Sequence, residues 1–140
     1  MHIILFTLMF LVLDVTINIM SVKLLKFLGI DFLFFGSWLA GVNYGTGPGI
    51  IVSLILLAEH TFIHFRKSKY IALSFPAQFA AVLLGNFLGI GGFFISLAIY
   101  QVINTLLMLV IGGMGAFFLT FLTINSLFNI LLYRVWLWLV

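Results

Sequence analysis

The chain has no cysteine in its 140 residues, which excludes disulfides and thiolate metal sites and leaves the redox character of its compartment unreadable. Charge is almost as scarce. Six basic and three acidic residues make up 6% of the chain, against roughly a quarter in an ordinary soluble domain. No water-soluble fold can cover its surface with so few ionic groups, and a mean hydropathy of +1.38 names lipid as the solvent. Linkers rich in Ser, Pro and Gly are missing, as are long charge runs, so a single domain over residues 1–140 is expected. Phosphate-binding loops, dinucleotide fingerprints and nucleophile elbows are missing too.

What remains is 65% hydrophobic. At about 20 residues per helical crossing, a chain of this length has room for at most about six or seven spans and no sizeable domain outside the bilayer. A soluble catalytic module is therefore excluded. The apolar runs predict helices at roughly 3–20, 28–43, 48–65, 70–89, 92–111 and 115–138, with boundaries loose by several residues. They are continuously apolar and too long for barrel strands, which alternate over about ten residues. The expectation is an all-α, polytopic transmembrane bundle of about six helices. The first 20 residues carry no Lys or Arg ahead of the apolar run and no small-residue cleavage site follows, so they read as a first span.

The net charge of +3 is clustered. Lys23 and Lys26 occupy one hydrophilic gap; Arg66, Lys67 and Lys69 occupy another. That distribution encodes topology, not nucleic-acid binding. The segment between the gaps crosses twice or re-enters, so both lie on one side, and the positive-inside rule makes that side cytoplasmic. Both termini are then expected outside, with Arg134 snorkelling near the outer end of the last helix.

The second and third segments are short and meet at Asn43-Tyr44-Gly45-Thr46-Gly47-Pro48-Gly49. Pro48 has no amide hydrogen and glycine weakens helix, so backbone groups here need water, another helix or a ligand as partner. Two readings fit: a tight turn between spans, or two half-helices meeting inside the membrane, as at transporter substrate sites. Around this joint small residues recur every four positions, at Ser37, Gly41, Gly45, Gly49 and Ser53. Such a row lets backbones approach closely, either within the bundle or against a separate membrane subunit.

Four groups of polar residues are candidates for chemistry. Asp14 lies deep in the first helix with Asn18 one turn on. A charge there costs about 2.5–3.5 kcal/mol on insertion scales, so it should face the bundle, be protonated or be paired. No basic residue is obviously at matching depth, which makes Asp14 the leading functional candidate. Asp31, near the start of the second helix, is accounted for by capping. Glu59-His60-Thr61-Phe62-Ile63-His64 puts His60 and His64 on one face, a spacing that can hold one metal ion, with Glu59 turned about 100° away. The order Glu-His-x-x-x-His is not that of zinc proteases, and no acid, base and nucleophile set assembles, so an enzyme is not expected. The amides Gln78, Asn86, Gln101, Asn104, Asn125 and Asn129 fall inside predicted spans and read as interhelical hydrogen bonds or as the lining of a polar cavity. Asp14, Asn18, Asn43, Glu59, Asn86, Gln101, Asn104 and Asn125 form the candidate ligand set.

The run from Phe35 through Gly49, followed by an apolar helix ending in Glu59, resembles the glycine-rich helix hairpin of rod-shape-determining MreD-type proteins. It is equally similar to the substrate-binding S subunits of energy-coupling-factor vitamin transporters. Thr123 to Asn129 and Leu131 to Arg134 resemble the closing helix of that group. The resemblance implies a six-helix bundle working with partner subunits: for S subunits, a buried vitamin-sized ligand and small-residue faces docked on an energising subunit; for MreD-type proteins, a scaffold in cell-wall elongation. Those families keep both termini cytoplasmic, opposite to the charge rule here. The expected role is a small multi-pass subunit of the cell membrane, in contact with lipid and with other subunits or itself, and without nucleic acid. It would bind or transport a small solute, or else serve as a scaffold.

Overall fold

In the computed structural model, residues 2–20, 29–65 and 71–140 are described. They form six α-helices and, among the described residues, no strand. The helices are α1 (Ile3–Met20), α2 (Leu33–Tyr44), α3 (Thr46–Ile63), α4 (Phe75–Leu88), α5 (Phe93–Val110) and α6 (Ala116–Leu139), with a 3-10 turn at Ile90–Gly92. Helices are what the apolar runs must form in lipid, where every backbone group needs a partner within its own segment. Four stretches are long and apolar enough to cross a membrane: Ile3–Met20, Thr46–Ile63, Ile90–Val110 and Ala116–Leu139. The chain is an all-α membrane-type bundle, as the sequence predicts.

The shorter helices are at its heart. With 12 residues, α2 spans about 18 Å, well under the roughly 30 Å of a hydrocarbon core. Every residue from Leu33 to Gly41 is buried, because the other five helices all pack on α2. Around it the core is aromatic. Phe93 and Tyr133 stack with centroids 4.0 Å apart, and Phe34 meets Tyr100 at 4.9 Å. Helix α2 begins at 33, not 28 as predicted, because Gly29 takes a left-handed φ of 91° and Asp31 Oδ1 caps the Leu33 amide at 3.1 Å.

The joint between α2 and α3 is a tight turn of one residue. Gly45 ends α2 at φ 81°, ψ −177° and starts α3, a conformation open essentially to glycine alone. The two helices fold back antiparallel. A methyl group at Gly36 would sit 2.8 Å from Leu56, and one at Gly49 would sit 3.1 Å from the Gly41 nitrogen. Ser37, Gly41, Gly49 and Ser53 are all buried, so the small-residue row is spent inside the bundle and offers no outward docking face.

A repeat that sequence reasoning missed becomes visible here. Gly41-Val42-Asn43-Tyr44-Gly45-Thr46-Gly47 and Gly85-Asn86-Phe87-Leu88-Gly89-Ile90-Gly91 share the spacing Gly-x-x-x-Gly-x-Gly. Gly89, like Gly45, ends its helix at positive φ, and each gives its N–H to the glycine four residues back. Helices α2 and α4 cross at the first glycine of each copy. A methyl group on Gly41 would run into the Val82 carbonyl oxygen, and one on Gly85 into the Trp38 carbonyl oxygen.

Hydrogen bonds put the last turns of α1 and α3 at one end of the bundle, since His64 pairs with Asn18. The basic residues of the two gaps, which carry the orientation, lie outside the described residues. Because the chain lacks cysteine, single introduced cysteines report orientation cleanly. One at position 68 is expected to resist an impermeant thiol reagent applied to intact cells, whereas one after Val140 should react. The opposite pattern would reverse the orientation.

Candidate functional site

Helices α1 and α3 run parallel, which brings residues 46 apart in sequence to one level. His60 Nδ1 lies 3.2 Å from Asp14 Oδ2, and His64 Nε2 lies 3.1 Å from Asn18 Oδ1. The expectation that no cationic group matches Asp14 in depth is thereby corrected: His60, placed near a helix end by sequence, is at Asp14's level. Asp14 is wholly buried, as a charge in lipid must be.

The bonds around Asp14 tie α1, α2 and α3 together. Asn18 Nδ2 has two hydrogens, and they go to the Asp14 carbonyl at 2.8 Å and to Asp14 Oδ2 at 2.9 Å. His60 Nδ1 lies within hydrogen-bond distance of both Asp14 Oδ2, at 3.2 Å, and Asn18 Nδ2, at 3.1 Å, so the three side chains form one closed cluster. The other carboxyl oxygen, Oδ1, accepts the Phe32 N–H at 2.7 Å. Asp14 thus sits on the N-terminal end of α2, the end that favours negative charge. Glu59 lies within electrostatic reach of Asp14, and neither of its buried oxygens has a hydrogen-bond partner.

A second polar group lies on the other side of the α2 N-terminus, centred on Asn125 of α6. Its Nδ2 donates to Gly29 O at 3.1 Å and Asp31 Oδ2 at 3.3 Å. Its Oδ1 accepts from Gln101 Nε2 at 2.9 Å and Asn129 Nδ2 at 3.1 Å. Capping accounts for one oxygen of Asp31, but sequence reading missed the other, which ties α2 to α6. Gln78 Nε2 donates to the Tyr100 hydroxyl at 3.1 Å, and Asn104 approaches that hydroxyl too.

The remaining candidates do not gather here. Asn43 and Asn86 are exposed near the glycine turns, with Asn86 Oδ1 beside Gly45, and they do not line the interior. They lie one or two residues past the first glycine of the two repeat copies, beyond the packed crossing. His60 and His64, with ring centroids 4.7 Å apart, gain no third ligand, and among the described residues no group of three His, Asp or Glu is placed to hold a metal. A groove of about 500 Å³ beside α3, lined by Leu54, Leu57, Phe62 and Phe75 among others, is apolar and shares no residue with either polar group.

The repeat of seven residues was legible as a 44-residue offset between identical glycine spacings. The Asp14–His60 pairing was not, because it depends on how two helices align. No family model, no curated protein and no solved structure matches this chain.

Proposed function

We propose that this protein is a small multi-pass subunit of the cell membrane that binds or moves a small solute, with proton exchange at Asp14, Glu59 and His60 as its working step. The observation that carries the reading is the Asp14–His60 pair, 3.2 Å apart, buried among helices apolar enough to cross a membrane and bonded through Asp14 to the Phe32 amide at the start of α2. Ionisable groups inside a membrane are costly and serve ion or proton pathways. Glu59 brings a second buried carboxyl within electrostatic reach of Asp14, and two neighbouring carboxyl groups do not both ionise readily. His60 Nδ1 is within hydrogen-bond distance of the Asp14 carboxyl, and an imidazole can take up a proton on one ring nitrogen and release one from the other.

Purified protein in liposomes, with a pH-sensitive dye inside and an imposed pH gradient, tests this. Wild type is expected to carry protons faster than empty liposomes; Asp14→Asn should lose that flux while keeping its helical spectrum and its elution profile. Equal flux in Asp14→Asn, or none in wild type, rejects proton exchange. The second reading is a scaffold working with other membrane subunits or with itself, supported by the closely packed aromatic core around α2. It would be favoured by a stoichiometric membrane protein copurifying in mild detergent, together with absence of proton flux.

A further inference from the structure

The group around Asn125 has too many acceptors. All six amide hydrogens of its three carboxamides are committed. Asn125 Nδ2 gives its two to Gly29 O and Asp31 Oδ2. Gln101 Nε2 gives its two to Asn125 Oδ1 and Ser126 Oγ, the latter at 3.1 Å. Asn129 Nδ2 gives its two to Asn125 O, at 2.8 Å, and Asn125 Oδ1. Exchanging N and O in any of the three would set oxygen against oxygen, so the assignment is self-consistent. What is left over is oxygen. Gln101 Oε1 and Asn129 Oδ1 are buried without a donor, in side chains that are 8% and 0% exposed. Asp31 is 4% exposed, and among the described residues its donors are Leu33 N and Asn125 Nδ2.

Unmet acceptors together with a carboxylate call for a positive charge. Among the described residues no Lys, Arg or His forms an ion pair with Asp31, whereas Asp14 has His60. We propose that Asp31, Gln101 and Asn129, assembled by Asn125, bind a hard monovalent cation of the sodium class. Oxygen-only ligands suit hard cations, and a single carboxylate matches a single charge. Gly29, with its left-handed φ of 91°, and the unwound backbone up to α2 resemble the non-helical segments that hold coupling ions in transporters. This site shares the α2 N-terminus with Asp14, on the neighbouring amide, but its three side chains are different ones and it does not depend on proton flux being found there.

Thermal unfolding of the full chain in detergent, in sodium, potassium and choline chloride at equal ionic strength, is the test. Sodium is expected to raise Tm above the choline value with a saturable concentration dependence, as for any ligand of the folded state. Asp31→Asn should unfold at one temperature in sodium and choline alike, whereas Asp14→Asn should keep the sodium shift. Asn129→Ala, which removes one orphan oxygen without touching the carboxylate, should raise the half-saturating sodium concentration by about tenfold. It also serves if Asp31→Asn does not fold. No shift by sodium in wild type overturns the proposal, as does a shift undiminished in Asp31→Asn or, should that variant not fold, in Asn129→Ala. A sodium shift without proton flux leaves this site standing and removes the proton reading; flux without a shift does the reverse.

Discussion

Replacing Gly41 with leucine is expected to abolish the folded bundle, with little or no monodisperse protein recovered. The hydrogen in place of a side chain at Gly41 lets α2 rest on the Val82 carbonyl of α4, and Gly85 does the same for the Trp38 carbonyl. The obstruction is backbone in both cases, so rotamer changes cannot relieve it. Overpacking a core typically costs about 1–3 kcal/mol when side chains can shift, and here a whole helix must move. That helix is the one the other five helices pack on, so displacing it loosens five interfaces together. Gly85→Leu should behave alike. Gly47→Ala supplies the contrast: a methyl group there meets nothing within 4 Å, and alanine favours helix over glycine by about 1 kcal/mol. Its Tm should equal or exceed that of wild type. Comparable yields of Gly41→Leu and Gly47→Ala would refute the close crossing of α2 and α4.

Asp14→Leu is expected to cost about 3–5 kcal/mol, the range found when one member of a buried pair is removed. Leucine fills the space but leaves the Phe32 N–H without its acceptor and removes the carboxyl oxygen that His60 and Asn18 share. Each unsatisfied buried group contributes about 1–3 kcal/mol, and the terms do not add fully. Asp14→Asn keeps an oxygen for Phe32 and should cost much less. A double-mutant cycle with His60→Leu separates the pair from its surroundings. If Asp14 and His60 act together, the double variant should be less destabilised than the sum of the singles. Full additivity in unfolding measurements would show that the 3.2 Å contact contributes nothing.

These two sites differ in how far sequence reading reached them. The small-residue row was visible as a spacing, and close packing was its expected use, yet its partner was not. Gly41 is flanked by Gly49 across a hairpin and by Val82 from α4, which no periodicity specifies. The asymmetry is greater for Asp14. Its burial followed from the cost of a charge in lipid, whereas His60 looked like an interfacial residue beside a basic loop. Asn43 and Asn86 show the converse failure. They lie in predicted spans or joints like the other amides, but the glycine turns leave them at the exposed end of the bundle.

Composition and hydrophobic run length alone determined that this is an all-α membrane bundle. In lipid each helix must satisfy its own backbone, which is a local requirement and so is written locally. Helices α1 and α6 came within about a residue of their predicted bounds for that reason. Only the tertiary structure decided that the shortest helix is the central one, that its N-terminus holds Asp14 and Asp31 on adjacent amides, and that α1 and α3 run parallel at the height where Asp14 meets His60. Those facts rest on the alignment and crossing of helices far apart in the chain. Alignment of this kind is set by which backbones can touch, at Gly41, Gly49 and Gly85, and by which buried polar groups can find each other. Neither is a property of any one segment.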